Sequence, residues 1–452
     1  MKTRVPRIVL AGTNSGCGKT TITCALLQAL VDRGLKTGSF KCGPDYIDTM
    51  FHSRITGSPS SNLDTFFFDE NTLNYLLSEN GKANEINIIE GVMGFYDGLD
   101  MEKSIASTYE AAKLTHSPVV LTVGARGASL SVLAVIQGFL SFLPENQIQG
   151  VILNQCTAGT YEMLKNAIIK RFHGKVRPLG FLPSMADCSL ESRHLGLVTA
   201  AEVADLEKKM KLLSETAQKT LDIEAIINLA NEAPDVECEP IEVKTFEKVR
   251  IGVAKDKAFC FYYEDSLAML SRMGAELVPF SPLEDSSLPE NLQGLYLGGG
   301  YPELYTEKLN ANSSMLSDIK SALDKGLPCI AECGGFMYLT EAIAGKPMVG
   351  ALKGSCGDAG KLVRFGYITL TAEKDNLLGP AGSAIRGHEF HHWDCTEPGG
   401  DFTASKLSGK SYSCVIATDT IYAGYPHFHF YANPSFAESF YKACLKFKGE
   451  EK

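Results

Sequence analysis

Long apolar runs are absent from this chain. No stretch of about 18 apolar residues occurs, which argues against a membrane-spanning helix. The opening MKTRVPRIVLAGTNSG has an apolar run too short for a secretory signal, and Gly interrupts it. A positive excess is also absent. Lys and Arg number 43 against 53 Asp and Glu, a formal net charge of −10. Nucleic-acid and membrane-surface partners call for a basic face, so neither is expected. No Cys-x-x-Cys pair occurs, which argues against a structural zinc site. There is no low-complexity segment and no repeat of about 20–50 residues.

The composition itself is that of an ordinary globular protein. Hydrophobic residues make up 44% and charged residues 21%, enough apolar material for a core. At 452 residues, two or three domains of about 100–200 residues are expected. The 13 Cys are odd in number and scattered, which fits reduced thiols in a cytoplasmic setting better than a disulfide framework. The 42 Gly exceed an average share of about 7%, as loops that press backbone against a ligand would require.

Two α/β segments can be read along the chain. Val5–Ala11 is an apolar run, followed by a Gly-rich turn and then Thr20–Asp32 at helical spacing. Similar runs recur at Glu85–Glu90, Pro118–Val123 and Gly150–Leu153. Strands alternating with helices predict a parallel sheet covered on both faces. Residues 201–234 read as helical and charged, and Glu232–Glu247 as a linker with no period. A fresh strand is predicted at Val249–Ala254, after which short strands and helices alternate again. The expected domains are 1–231 and 248–452.

Gly12-Thr13-Asn14-Ser15-Gly16-Cys17-Gly18-Lys19-Thr20-Thr21 lies between the first strand and the first helix. Its glycines let backbone N–H groups converge on phosphate oxygens. Lys19 supplies a point charge, Thr20 can hold Mg²⁺, and the helix N-terminus adds its dipole. The alternative is a Gly-rich turn with an incidental Lys. The order strand, loop, helix favours phosphate.

Carboxylates cluster after it. Lys41-Cys-Gly-Pro-Asp45-Tyr46-Ile-Asp48 places two acids three residues apart, and Asp64 follows. Glu90 ends the strand INII and opens Glu90-Gly-Val-Met-Gly-Phe-Tyr-Asp97. An acid at the C-terminal end of a strand beside a phosphate loop suits a Mg²⁺ ligand, which nominates Glu90. Asp45 follows Pro44 and Asp97 precedes Gly98, and these two and Asp48 also read as turn residues.

The second segment carries Ala331-Glu-Cys333-Gly334-Gly335 between a strand and a helix. A Cys at a helix N-terminus is exposed and has a depressed pKa, so Cys333 is a nucleophile candidate. Gly334 permits the tight turn and leaves its N–H as an oxyanion donor, and the loop Gly298-Gly299-Gly300 can supply another. Tyr425-Pro-His427-Phe-His429 lies about 90 residues later. One His would activate the thiol and the second would orient it. Two alternate His on a strand also read as half-buried surface residues. The Cys-Gly-Gly turn in the same segment favours catalysis.

These motifs together carry a family resemblance. KCGPDYID, EGVMGFYDG, SRHLGLV, AFCFYYED, LYLGGGYPE, AECGGFMYL, RGHEFH and YPHFHF, over nearly the whole chain, resemble the cobyrinic acid a,c-diamide synthase (CbiA) family. The first Gly of the phosphate loop stands seven residues before Lys19, a spacing similar to that of dethiobiotin synthetase and its relatives. The resemblance implies an α/β fold: an N-terminal P-loop domain of dethiobiotin-synthetase type with a parallel sheet, and a C-terminal class I glutamine amidotransferase domain. It implies a ligase that spends ATP with Mg²⁺ to phosphorylate the c- and then the a-carboxylate of a corrin. Ammonia from glutamine, released at Cys333, would attack each acyl phosphate. Lys19 and Thr20 would hold phosphate and metal. Asp48, Glu90 and Asp97 would act at metal, nucleotide or substrate, with Asp45 beside them.

Further roles follow from the same resemblance. His427 is preferred as the base, and His429 stands where many amidotransferases carry the triad Glu. Asn154 matches a position that contacts the nucleotide. Gly299, Gly334 and Arg386 belong to the glutamine side. Tyr46, Asp64, Arg193 and His194 are weaker substrate candidates. The expected partners are ATP, L-glutamine and a tetrapyrrole polycarboxylate, with a homodimer as an open option. Ni-sirohydrochlorin, the nickel tetrapyrrole of methanogens, remains the rival substrate, with metal-free hydrogenobyrinic acid another. A P-loop partitioning or metal-insertion ATPase with a decayed amidotransferase scaffold is the rival of a different class. Intact Cys333 and His427 speak against it.

Overall fold

The computed structural model describes residues 1–99, 102–185, 188, 192–193, 196–197 and 205–450. The chain divides into two units, Met1–Ile241 and Glu242–Lys452. The division falls within the predicted linker. Within that linker the strand Val236–Glu237 pairs antiparallel with Lys2–Thr3 and so belongs to the first unit.

The first unit is built on a seven-stranded sheet. Its spatial order is Ser61–Leu63, Thr37–Cys42, Ile86–Glu90, Arg7–Gly12, Val119–Gly124, Ile148–Asn154, Arg177–Leu182, and every neighbouring pair is parallel. Buried parallel strands read as continuous apolar runs, and RIVLAG, INIIE and VVLTVG do. Thr37–Cys42 (TGSFKC) has no such run, yet all six residues are buried. Its Lys41 is tolerated there because carboxylates neutralise it, as described below. Helix Lys19–Asp32 turns Ile22, Ala25, Leu26, Ala29 and Leu30 inward. It begins at Gly18, whose φ of 94° is a left-handed value that favours glycine. Chain order reverses about Arg7–Gly12. The carboxyl ends beside it form the crevice where doubly wound sheets bind ligands.

The second unit contains three sheets, and two of them carry the site. A six-stranded sheet runs Ala275–Phe280, Val249–Ala254, Gly294–Leu297, Cys329–Glu332, Ile421–Gly424, Ile416–Ala417, parallel except for the last strand. Its core includes Leu295, Leu297, Ile319, Cys329, Ala331, Phe336 and Leu339. A five-stranded sheet, Ser411–Cys414, Phe402–Ser405, Arg364–Ala372, Ala384–His391, His427–Phe428, is antiparallel throughout. The sequence reading foresaw strands there but not this second sheet. The chain leaves the parallel sheet at Gly424 and enters the antiparallel one at His427. Two residues, Tyr425 and Pro426, make that passage, and they bring His427 to the end of the strand that carries Cys333.

Among the described residues no helix is long and apolar enough to cross a membrane. All 13 cysteines are free thiols.

Candidate active sites

In the first unit, three strand ends meet the phosphate loop. Thr20 follows Lys19 on the first helical turn, and its Oγ1 donates to Glu90 Oε1 at 2.6 Å. Lys41 ends the neighbouring strand. Its Nζ lies 2.5 Å from Asp48 Oδ2, 3.3 Å from Glu90 Oε1 and 3.1 Å from Gly91 O. His52 Nε2 lies 2.8 Å from Glu90 Oε2. Glu90, Lys41, Asp48 and His52 are all buried.

Burial opposes each of these charges, so pairing decides their state. Burial favours the acid form of Glu90, but Lys41 and the hydrogen bonds from His52 and Thr20 overcome it and hold Glu90 well below the carboxylate range. Asp48 goes the other way. Burial raises it to about 7, with Glu90 and Asp45 adding to the rise and Lys41 opposing it. Lys41 is driven upward by Asp48 and Glu90 against its own burial. Lys19 is lowered, chiefly by burial, and its Nζ donates to Met93 O.

The oxygens here suit Mg²⁺. Thr20 Oγ1 and Glu90 Oε1 are close enough to share one small hard cation, and Asp48 adds a carboxylate across Lys41. No cluster of three His, Cys, Asp or Glu side chains among the described residues is arranged to hold a metal alone. A Mg²⁺ would therefore draw its remaining ligands from phosphate and water, as is usual for this ion.

Other predicted residues of this unit do structural work. Asp45 Oδ1 accepts from the N–H groups of Ile47 and Asp48 and so starts the helix Ile47–Thr56 that presents Asp48. Asp64 Oδ1 accepts from Phe66 N and Phe67 N in a turn. Asp97 Oδ2 accepts from Gly94 N at 2.8 Å and closes the loop after Glu90. Tyr46 is buried. Asn154 donates to Cys17 O at 2.8 Å, which braces the phosphate loop from the end of the next strand but one. Asn14 donates to Ser15 O, and Thr13 Oγ1 donates to the Asn14 side chain. Gly12 packs against the side chains of Cys17 and Lys19, Gly16 has a left-handed φ of 78°, and Thr21 is half-buried in the helix. Arg193 lies in the short strand Ser192–Arg193, and His194 lies outside the described residues.

In the second unit, Cys333 caps a short helix, Gly334–Leu339, directly after the strand Cys329–Glu332. Its φ of 49° and ψ of −103° are strained for a residue with a side chain. The strain turns the thiol out of the strand direction while Cys333 N stays bonded to Gly424 O at 2.7 Å. Gly334 packs so closely on the loop Gly298–Gly300 that an added Cβ would lie 3.2 Å from Gly300 N. Backbone donors of the turn and of that loop are thus adjacent, as an oxyanion hole needs. Gly299 lies against the imidazole of His427: a Cβ there would come within 2.6 Å of its Cε1.

His427 is buried, and its Nδ1 lies 2.9 Å from Glu332 Oε2. Tyr296 donates to the other oxygen, Oε1, at 2.8 Å. Burial works against the imidazolium, but hydrogen bonds to Cys333 and Glu332, and their charges, raise His427 to about 10. Since Nδ1 faces Glu332, the hydrogen bond with the thiol falls to Nε2. The ring of His388, the cross-strand neighbour of His427, stacks on it with centroids 5.2 Å apart.

The orienting contact therefore comes from a residue that the sequence reading passed over. His429 was expected in the acid's place. It is fully buried, its Nδ1 accepts from Tyr431 N, and burial alone pushes it down to about 3, so it is neutral. A neutral buried imidazole cannot supply the negative charge that an orienting acid gives. The signal for Glu332 was its place beside the nucleophile, but nothing in the sequence says which way that side chain points. Arg386 lies exposed on the strand Ala384–His391, two residues before His388.

Two families match in the order of these sites. Residues 8–198 match the CobQ/CobB/MinD/ParA nucleotide binding domain, and residues 250–435 match the CobB/CobQ-like glutamine amidotransferase domain. Curated relatives match both parts together. The cobyrinate a,c-diamide synthase of Clostridium acetobutylicum is 41% identical over 435 residues, covering 95% of this chain and 98% of its own. That of Listeria innocua is 40% identical over 441 residues, covering 95% and 97%. A solved glutamine amidotransferase covers 43% of this chain and 98% of its own at 17% identity, with a TM-score of 0.33. With both domains matched, and relatives near 40% identity over almost their whole length, the chain belongs to the cobyrinate a,c-diamide synthase family of glutamine-dependent amide ligases.

Proposed function

We propose that this chain forms the a- and c-amides of cobyrinic acid, spending ATP and glutamine, in cobalamin biosynthesis. The observation that carries the reading is a chain matched over 95% of its length by synthases of that name, with two side-chain constellations that suit the two half-reactions. One is a phosphate loop faced by buried carboxylates, and the other a Cys–His–Glu arrangement.

At the second site the Cys333 thiolate attacks the glutamine carboxamide carbon. N–H groups of Gly334 and of the Gly298–Gly300 loop receive the developing oxyanion. His427, held by Glu332, gives its proton to the departing ammonia and then takes one from the water that releases glutamate. At the first site the Lys19 ammonium and the loop N–H groups bind the ATP phosphates. Mg²⁺, held by Thr20, Glu90 and Asp48, would neutralise charge on the transferring phosphoryl group. Asp48, Glu90 and Lys41 keep that pocket charged but balanced. The acyl phosphate formed on the corrin carboxylate is then open to ammonia.

Mass spectrometry of products tests the reading. Cobyrinate and Ni-sirohydrochlorin would each be incubated with ATP, Mg²⁺ and glutamine. Two amides on cobyrinate and none on the nickel compound is the expected result. The reverse would replace the substrate, and no amide on either would remove the reading.

A further inference from the structure

Helix Ile47–Thr56 presents two polar side chains to the phosphate-loop site, and the mechanism above uses one of them. His52 follows Asp48 by four residues, so both project from one face of the helix. Asp48 reaches Lys41, and His52 reaches Glu90. His52 is fully buried, and its Nδ1 has no hydrogen-bond partner. Burying an unpaired polar nitrogen costs stability, and an apolar side chain would fill the same space without that cost. The other nitrogen must offset it. Oε1 already faces Thr20 Oγ1 and Lys41 Nζ, and a carboxylate oxygen accepts, so the 2.8 Å contact at Oε2 is one in which Nε2 carries the hydrogen and donates.

The two oxygens of Glu90 are thereby given different tasks. Oε1 meets Thr20 Oγ1 at 2.6 Å and Lys41 Nζ at 3.3 Å, and Oε2 is taken by His52. A cation binding at Thr20 and Oε1 must displace the Lys41 contact, but Lys41 keeps Asp48 Oδ2 and Gly91 O. The His52 contact at Oε2 does not compete. Without it, both oxygens could turn to Lys41 in a two-oxygen ion pair that shuts the cation out.

The geometry points to His52 as the positioning residue that holds Glu90 with Oε1 turned to the phosphate loop, where a nucleotide-bound divalent cation is received. The inference rests on the reading of Thr20 and Glu90 as metal ligands.

The test is the Mg²⁺ dependence of ATP binding to the full chain, followed by titration calorimetry with no acceptor present. His52→Leu fills the space without the donor. It should raise the half-saturating Mg²⁺ about 10–100-fold, the usual range for loss of an outer partner of a metal ligand. His52→Gln keeps an N–H near the same place and should recover most of that loss. Glutamate release at Cys333 should match wild type in both, which reports a folded chain. Should His52→Leu not fold, His52→Asn takes its place, since its amide is too short to reach Oε2. An unchanged Mg²⁺ dependence in the donor-less variant, with a raised one in Glu90→Gln, overturns the role of His52 alone. An unchanged dependence in Glu90→Gln as well overturns the metal reading beneath it.

Discussion

Glu332 Oε2 sits 2.9 Å from Nδ1 of His427, 95 residues away in the chain. The acid that holds the imidazole is therefore the residue directly before Cys333. Strand and turn divide the work: Glu332 ends the strand with its side chain buried under Tyr296, and Cys333 turns out on strained backbone.

Glu332→Gln tests that arrangement through pH. His427 stands at about 10 instead of 6.5, partly through Glu332. It must be an imidazolium to give a proton to ammonia, so activity falls as pH rises through that value. With a neutral amide at 332, the alkaline limb of glutamate release moves to lower pH. The rate falls by about 10²–10⁴-fold, the upper end being that for loss of a triad carboxylate. The sign for stability is the same. The contribution from the raised His427 pKa is complete below 6.5 and is lost as pH rises through about 10. A pH–rate profile of glutamate release, beside one for Tyr296→Phe, reads the effect.

Cys333 separates chemistry from stability. Cys333→Ser should abolish glutamate release and leave amidation with added ammonium salt intact. Cys333→Gly should also be inactive, yet no less stable. Glycine relieves a backbone strain of about 1–3 kcal/mol, against a cost in chain entropy of about 1 kcal/mol. Thermal unfolding should show a midpoint unchanged or raised by about 2–4 °C. A lowered midpoint would contradict the strain at this turn.

Gly299→Ala probes the fit between loop and base. The added Cβ would lie 2.6 Å from His427 Cε1, too close to leave the ring in place. A displacement of about 1 Å at a reacting group costs about 10²-fold in rate. Steady-state kinetics with glutamine should show that loss in kcat, with ammonia-dependent amidation unchanged.

Asp48→Asn and Glu90→Gln address the other unit. Both should release glutamate at the wild-type rate and lose amidation by about 10²–10³-fold, as expected when charge at a transferring phosphoryl group is no longer balanced. Product mass spectrometry with a parallel glutamate assay reads both rates. Full amidation in both variants would remove Asp48 and Glu90 from the mechanism.

What the sequence determined is what local pattern encodes. Glycines before Lys19 specify a strand–turn–helix that receives phosphate, and Cys333-Gly334-Gly335 specifies a sharp turn with a thiol at its apex. Both depend on neighbours in the chain, so both were legible, as were the apolar strands of the parallel sheet. Thr37–Cys42 was not, because its burial comes from its place between Ser61–Leu63 and Ile86–Glu90 in the sheet and not from its own residues. Tertiary structure also decided the partners. The pairing of His427 with Glu332, of Glu90 with His52, and of Lys41 with Asp48 and Glu90 brings together side chains from different elements. A carboxylate at a turn can cap a helix, as Asp45 does, close a loop, as Asp97 does, or neutralise a buried Lys, as Asp48 does. Residue type is the same in the three. Only the direction of each side chain, set by the packing around it, tells them apart.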